Sequence, residues 1–256
     1  MATQLKNYAQ GQWIAGAGKG MPLYHAITGE HIYTAGSEGL DFKGMHDYAR
    51  STGGRVLRKM SFHERARIIK ALALFLNEKK KDLYAISAAT GATKGDSWID
   101  IDGGIGNLFV YASKGRRELP DETFLVDGQL EKISKNGTFA GHHICVPLEG
   151  VAVHINAFNF PVWGMLEKIA VNFLAGMPAI VKPASATSYL TEAAVRQIVE
   201  SGILPEGALQ LICGSAGDLL DHLDCQDVVT FTGSAETGKM LKRHPSIVEH
   251  SIRFNM

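Results

Sequence analysis

Cysteines, net charge and long apolar runs are all scarce in this sequence of 256 residues. Its three cysteines, Cys145, Cys213 and Cys225, have spacings that fit neither a disulfide framework nor a zinc site. We therefore expect reduced, mostly buried thiols and no metal site. The 26 basic and 26 acidic side chains cancel, so no overall field favours nucleic acid or an anionic membrane surface as a partner.

Sequence signals for a membrane or for secretion are also lacking. No stretch of about 18 apolar residues occurs, and residues 1–10 have no apolar signal segment. The sequence therefore predicts a cytoplasmic protein. Hydrophobic residues make up 45% of the chain and charged residues 20%, which is typical of a globular protein with a large core. The pattern along the chain indicates three parts, residues 1–122, 123–149 and 150–256.

The first part begins with short strands and continues into a helix. Residues 12–14 and 31–34 have strand character and are separated by glycine turns, which suggests a hairpin arm. Ser61 and Glu64 match the S-x-x-E pattern of a capping box, so a helix should begin there. The buried face of this helix is predicted to contain Ile68, Leu72, Phe75 and Leu76.

A second helix is predicted over residues 96–113. It contains Gly103-Gly104-Ile105-Gly106, which resembles a nucleotide-binding glycine pattern but does not follow a strand. Close packing of helices is the better explanation for these glycines. Extended segments around residues 123–126 and 138–146 then occupy the second part of the chain.

Apolar runs and helical segments alternate regularly from Gly150 onward. Such alternation is typical of βα units in a parallel sheet. The sequence thus predicts a doubly wound α/β fold, in which ligands bind beyond the carboxyl ends of the strands. A further strand is expected at residues 247–252. The four apolar runs are residues 151–155, 179–181, 208–212 and 228–231.

The loop after the first apolar run has amide side chains and no glycine. It contains Asn156 and Asn159, whereas a standard dinucleotide fold would place G-x-G-x-x-G here. An asparagine at a strand end can donate hydrogen bonds to a developing oxyanion. An Asx turn that leads into the helix at Pro161 is an equally good explanation.

Two later loops could hold a phosphate-bearing ligand. Lys182 follows the second run and is either a surface charge or a cation for ribose hydroxyls or a 2′-phosphate. Gly233 and Ser234 precede a helix, whose free N–H groups and positive dipole end suit an anion. The stretch from Gly233 to Lys239 approaches a Walker A loop, but Met240 stands where Ser or Thr would bind Mg²⁺. A nucleoside triphosphatase is therefore disfavoured.

Several of these loops, in this order, resemble the aldehyde dehydrogenase superfamily. The resemblance is strongest to the phenylacetate-degradation subfamily, in which an aldehyde dehydrogenase is fused to an enoyl-CoA hydratase. It covers nearly the whole chain and implies a Rossmann-like coenzyme domain with N-terminal helices and a β arm. The stretches that carry it are residues 90–93, 96–106, 154–161, 182–184, 213–220 and 231–234.

The resemblance also implies roles for individual residues. Asn159 would donate to the oxygen of a thiohemiacetal, Lys182 would contact the adenosine ribose, and Gly233 and Ser234 would contact the pyrophosphate. Lys168 matches a family lysine, and its role stays open. The other residues expected around the coenzyme are Ile155, Asn156, Ser185, Gly214, Gly217 and Phe231.

Ser185 bears on the choice of coenzyme. Many members that use NAD have Glu at this position, three residues after the lysine. A carboxylate there accepts hydrogen bonds from the ribose diol but repels a 2′-phosphate, whereas a hydroxyl can donate to it. We therefore expect NADP to be preferred, with NAD as the alternative. A serine that caps a helix or faces water is the simpler explanation.

The nucleophile and base of the family have no counterpart in this chain. Members use a cysteine thiolate in a glycine-rich segment of a separate catalytic domain, with a glutamate base shortly after the strand that here ends at residues 254–256. Cys145, Cys213 and Cys225 lie in no such context, so each is expected to be structural. The catalytic domain is thus expected to be missing.

The resemblance implies that the complete protein is a homo-oligomer with a small-molecule aldehyde substrate. The substrate would be a CoA-linked semialdehyde from aromatic ring cleavage. The chain alone would bind coenzyme without completing turnover. Two alternatives stay open: a non-catalytic NAD(P)-binding module or inactive homologue, and an unrelated α/β nucleotide binder.

Overall fold

The computed structural model describes residues 2–256, so Met1, the first residue of the predicted N-terminal part, lies outside the described residues. The strands are β1 Thr3–Gln4, β2 Lys6–Ala9, β3 Gln12–Ala15, β4 Met21–Tyr24, β5 His31–Ala35, β6 Leu125–Lys132, β7 Ala140–Cys145, β8 Ala152–Ile155, β9 Ala179–Lys182, β10 Leu209–Leu211, β11 Val228–Phe231 and β12 Arg253–Asn255. The helices are α1 Phe42–Tyr48, α2 Arg55–Leu57, α3 Phe62–Ser87, α4 Lys94–Arg117, α5 Pro161–Leu174, α6 Ser188–Glu200, α7 Ala235–Lys242 and α8 Pro245–Glu249, with a π-helical turn at Ala49–Gly54 and 3₁₀ turns at Ala88–Thr90, Ser185–Thr187 and Leu219–His222.

A seven-stranded sheet forms the centre of the molecule, in the order β12-β11-β8-β9-β10-β2-β3. Strands β8 to β12 are mutually parallel, and β2 pairs antiparallel with β10. The chain moves from β8 to β9 and β10 on one side of β8, and then crosses to β11 and β12 on the other. Strand order therefore reverses between β8 and β11, which is the topological switch point of a doubly wound sheet.

Helices cover both faces of this sheet, as the doubly wound prediction requires. On one face α3, α4, α5 and α6 bury a core that includes Leu72, Leu166 and Val181. On the other face α1, α8 and the 3₁₀ turn Leu219–His222 bury a second core that includes Met45 and Ile180. Val181 and Ile180 belong to opposite cores because successive side chains of a strand point to opposite faces. The helical segment expected after the third apolar run is only this 3₁₀ turn.

Both long predicted helices are present and begin at capping boxes. The side chain of Ser61 accepts from the Glu64 amide at the start of α3, and Thr93 and Asp96 form the same arrangement at the start of α4. The buried face of α3 includes the predicted Leu72 and Leu76. The predicted Ile68 and Phe75 are only half-buried at the edge of this face.

The predicted pairing of these two strands in one hairpin arm is wrong, although both strands are present. β3 pairs with β2 and joins the central sheet, while β5 pairs with β1 and β4 in a separate three-stranded sheet. The buried side chain of Asn7 in β2 explains why β3 and β5 belong to different sheets. Its Nδ2 donates to the carbonyls of Ile14 and Gly36, and its Oδ1 accepts from the Cys213 amide at 2.8 Å.

The strand predicted at residues 247–252 is also wrong. Residues 245–249 form the short helix α8, which starts with Pro245 at its first position, and the strand follows only at β12. Ile247 and Ile252 are both buried, but Val248 between them is exposed. A proline at the first helical turn favours the helix. The apolar residues of this stretch therefore belong to a helix and a turn instead of a strand.

The expectation of mostly buried cysteines is wrong as well. Only Cys213, which follows β10, is buried, while Cys145 and Cys225 are exposed. Cys145 lies on β7, which forms a two-stranded sheet with β6 and pairs with no other strand of the described residues, and Cys225 lies in the turn before β11. Within residues 2–256 no helix combines the length and apolar character needed to cross a membrane.

Candidate functional site

A cleft of about 750 Å³ opens at the carboxyl ends of β8, β9 and β11, where the strand order reverses. This is the place where the doubly wound prediction puts a ligand. Eight of the ten predicted site residues line it, so the lysine and the helix start expected to touch one ligand do face the same space. These eight are Ile155, Asn156, Asn159, Lys182, Ser185, Phe231, Gly233 and Ser234.

The two remaining predicted residues, Gly214 and Gly217, line an adjacent cavity of about 470 Å³. Ser185 lies on the wall of both cavities, so the two are neighbours. Each glycine also has a packing reason to be there. A Cβ on Gly214 would lie 2.5 Å from the backbone nitrogen of Ser37, and one on Gly217 would lie 2.2 Å from the ring of Phe42.

The loop after β8 is fixed to both neighbouring strands at its start. The Asn156 amide donates to the Lys182 carbonyl at 3.0 Å, and the Thr232 amide donates to the Ile155 carbonyl at 2.9 Å. The side chain of Asn156 is 4% exposed, and neither its Nδ2 nor its Oδ1 has a hydrogen-bond partner among the described residues. Buried polar atoms without partners are costly, and this side chain lies against Gly164 of α5.

Lys182 ends β9 and projects a half-buried ammonium into the cleft. Burial lowers the pKa of Lys182, and the thiol of Cys213 opposes that effect slightly. A desolvated cation favours an anionic or hydroxyl-bearing partner. Ser185 begins the 3₁₀ turn that follows, and its carbonyl accepts from the Ser188 hydroxyl at 2.9 Å.

The opposite wall of the cleft is the start of α7. Ser234 is the N-cap of this helix, and its Oγ accepts from the Thr237 amide at 3.2 Å. Gly233 lies directly against the strand end, because a Cβ there would be 2.4 Å from the Phe231 ring. The arrangement brings helix N–H groups and a small residue to the cleft, which suits a phosphate group.

Asn159 lies where two cavities meet. It is exposed at the end of the β8 loop and lines both the large cleft and a smaller apolar cavity of about 260 Å³. That cavity is also lined by Ile99, Phe160, Trp163 and Glu167. The side-chain amide of Asn159 can therefore reach a ligand in either space.

Lys168 is held within α5 by hydrogen bonds to its own helix. Its Nζ donates to the Gly164 carbonyl and to Glu167 Oε1, both at 3.1 Å, and its side chain is largely buried in α5. No cysteine lines the cleft within the described residues. The thiol of Cys213 donates to the Lys6 carbonyl, and burial raises its pKa above the ordinary value, so it is a poor nucleophile.

Sequence reasoning missed other residues of the site. Thr232 and Thr237 both line the cleft. Thr237 could have been found, because a hydroxyl three residues after the N-cap faces the same side of a helix start. Asp100 and Thr187, which hold the β8 loop from outside the cleft, had no local signal because they are distant in sequence from that loop.

Comparison with known proteins identifies one family. The model of the aldehyde dehydrogenase family matches residues 13–253. A 3,4-dehydroadipyl-CoA semialdehyde dehydrogenase from Aromatoleum evansii is 43% identical over 99% of this chain and 49% of its own length. A D-glyceraldehyde dehydrogenase (NADP(+)) from Picrophilus torridus is 28% identical over 94% of this chain and 48% of its own.

Solved structures share the fold. A 3,6-anhydro-L-galactose dehydrogenase in complex with NAP matches with a TM-score of 0.83 at 22% identity, over 98% of this chain and 51% of that chain. Betaine aldehyde dehydrogenase from Staphylococcus aureus in complex with NAD⁺ matches with a TM-score of 0.80 at 22% identity, over 98% and 49%. The chain thus spans about half the length of the relatives it matches.

Proposed function

The chain belongs to the aldehyde dehydrogenase family, and from this we propose that it is the coenzyme-binding part of an NADP-preferring enzyme. The complete protein would oxidise a CoA-linked semialdehyde to the acid in aromatic, phenylacetate-type catabolism. Its cysteine nucleophile and glutamate base would lie outside this chain. The observation that carries the proposal is the single cleft at the switch point, which brings Lys182, Ser185 and Ser234 together.

The cleft residues divide into two groups that fit two neighbouring parts of a dinucleotide. Lys182 and Ser185 would hold the adenosine ribose, while Gly233 and Ser234 would hold the pyrophosphate at the start of α7. Ile155 and Asn156 would line the coenzyme site at the end of β8. When bound, NADP supplies the acceptor for the hydride that leaves the aldehyde carbon.

Asn159 would act on the aldehyde itself. Its Nδ2 would donate to the aldehyde oxygen as negative charge develops there, which is the role of an oxyanion donor. Its place between the large cleft and the apolar cavity supports this role, because coenzyme and substrate must meet at one point. The apolar walls formed by Phe160 and Trp163 would exclude water from the substrate chain.

The relatives support the substrate and coenzyme proposals to different degrees. The relative from Aromatoleum evansii, at 43% identity, is named for a CoA-linked semialdehyde. NADP and NAD both occur among the relatives and neighbours, so the preference for NADP depends on Ser185. We also propose a cytoplasmic homo-oligomer. Residues 1–122 and 150–256 would form the N-terminal part and the core of the coenzyme domain, and residues 123–149 would contribute to association between subunits.

Titration of the chain with NADP and with NAD tests the proposal. We expect the wild type to bind NADP more tightly, and Ser185→Glu to reverse the order, because a carboxylate beside a 2′-phosphate costs about 1 kcal/mol or more. Ser113→Glu, the same change at an exposed position of α4, is the control and should leave both affinities unchanged. Equal affinities before and after Ser185→Glu would remove the case for NADP, and failure to bind either coenzyme would overturn the proposed function.

A further inference from the structure

The position of Asn159 has to be set by groups outside its own loop. The loop, residues 156–160, has no regular secondary structure, and Asn159 itself is exposed. An oxyanion donor works only within a few tenths of an ångström of the correct place. Beyond the two backbone hydrogen bonds at its start, the loop therefore needs further anchors.

A buried carboxylate from α4 holds the end of the loop. Asp100 is 3% exposed, and its Oδ1 accepts from the Val162 amide at 3.0 Å and from the Trp163 amide at 2.7 Å. These two N–H groups belong to the first turn of α5, where Phe160 is the N-cap but provides no side-chain hydrogen bond. Asp100 thus replaces the missing cap from another helix.

A buried hydroxyl holds the middle of the loop. Thr187 is 6% exposed, and its Oγ1 donates to the Phe158 carbonyl at 3.0 Å. Thr187 belongs to the 3₁₀ turn that starts at Ser185, so the loop after β8 is connected to the loop after β9. Asn159 lies between the two anchored points, Phe158 and the first turn of α5.

We propose that Asp100 and Thr187 are positioning residues that fix the orientation of the Asn159 amide toward the aldehyde oxygen. The inference rests on the proposed function, since it assigns to these two residues the support of the proposed oxyanion donor. Neither residue lines the cleft or the apolar cavity, so both act through the loop.

The amides of Val162 and Trp163 need an acceptor oxygen from Asp100 more than they need its negative charge. Burial raises the pKa of Asp100 to about 6, although the hydrogen bonds from Trp163 and Val162 oppose this. A buried negative charge at this place is therefore held at a cost to stability. An asparagine, which keeps an acceptor oxygen of the same reach, should rescue the positioning, whereas alanine should not.

Hydrogen exchange of the 256-residue chain tests the anchors directly. We expect Asp100→Ala to speed amide exchange in residues 158–164 by about tenfold or more, and Asp100→Asn to stay near wild type. Asp82→Ala, at an exposed aspartate of α3, is the matched control. Unchanged exchange in Asp100→Ala, or no rescue by Asp100→Asn, would overturn the role of Asp100.

Thr187→Val is the second variant and keeps the inference testable if Asp100→Ala does not fold. It removes the hydroxyl with little change in volume, and we expect faster exchange around Phe158. In the complete enzyme, we expect both Asp100→Ala and Thr187→Val to lower kcat by about tenfold to a hundredfold, with little change in the KM for coenzyme. An effect confined to the KM for coenzyme, with kcat unchanged, would contradict a role in positioning Asn159. Coenzyme binding by the wild type, measured separately, shows whether the proposed function itself fails.

Discussion

At the scale of single residues, the amino ends of the central strands are joined by a buried histidine–aspartate pair. His46 of α1 lies 3.0 Å from Asp227, measured from Nε2 to Oδ2. Asp227 also accepts from the Val151 amide at 2.6 Å and from the Asp224 amide at 2.7 Å. One carboxylate thus ties a helix to the starts of β8 and β11, at the end of the sheet opposite to the cleft.

This pair should make stability depend on pH. Burial by itself would lower the pKa of His46, but the hydrogen bond and charge of Asp227, with a smaller contribution from Asp47, outweigh burial and the opposing charge of Arg50, so the pKa is raised. A raised histidine pKa gives stability that is fully present below the ordinary value and is lost as pH rises through the raised value.

We therefore expect His46→Gln to destabilise the chain by about 1.5–3 kcal/mol near pH 6, and by less near pH 8.5. Urea unfolding at both pH values measures the difference. The exposed histidine at position 143 provides the control, and His143→Gln should have little effect at either pH. A penalty for His46→Gln that grows with pH would show that the neutral form makes the stronger contact.

At the scale of elements, the crossing of α4 and α5 determines where the Asn159 loop ends. Gly103 and Gly104 of α4 lie against Trp163 of α5, and a Cβ on Gly103 would come within 2.4 Å of the Trp163 ring. The expected explanation for this glycine run, close packing of helices, is confirmed at these two positions. A Cβ on Gly106 would meet nothing within 4 Å, so this third glycine has no such constraint.

The two kinds of glycine should respond in opposite ways to alanine. We expect Gly103→Ala to destabilise the chain by about 1–3 kcal/mol, because α4 and α5 must move apart. Gly106→Ala, in the same helix, should be neutral or stabilise by up to about 1 kcal/mol, since alanine is the better helix former. The free energy of unfolding of both variants, measured in urea, tests this prediction. Equal effects of the two substitutions would mean that the Trp163 contact does not limit the approach of the helices.

What the sequence predicted well was local. The apolar runs predicted β8, β9 and β11, the capping box at Ser61 and Glu64 predicted the start of α3, and the order of the loops predicted most of the cleft. What it missed depends on contacts between distant residues. Asn7 brings β2 to the central sheet across more than 200 residues, and Asp100 meets α5 62 residues later. Neither contact leaves a periodic pattern in the sequence.

At the scale of the whole molecule, the β6–β7 sheet lies outside the two cores except for Leu125, which packs against the larger core. The sheet pairs with no other strand of residues 2–256, and most of its large apolar side chains are exposed. Val126 and Ile144, which are partners across the two strands, are 44% and 60% exposed. An exposed apolar sheet with free edges favours pairing with another chain.

We therefore expect the 256-residue chain to associate at micromolar concentration, with a mass by light scattering above that of one chain. Lysine at this surface should suppress association, because a charge is costly to bury at an interface, so the test variant is Val126→Lys combined with Ile144→Lys. Val110→Lys replaces an exposed valine of α4 with the same residue and should leave association unchanged. A stable monomer at all concentrations, or equal suppression by Val110→Lys, would contradict a role for residues 123–149 in assembly.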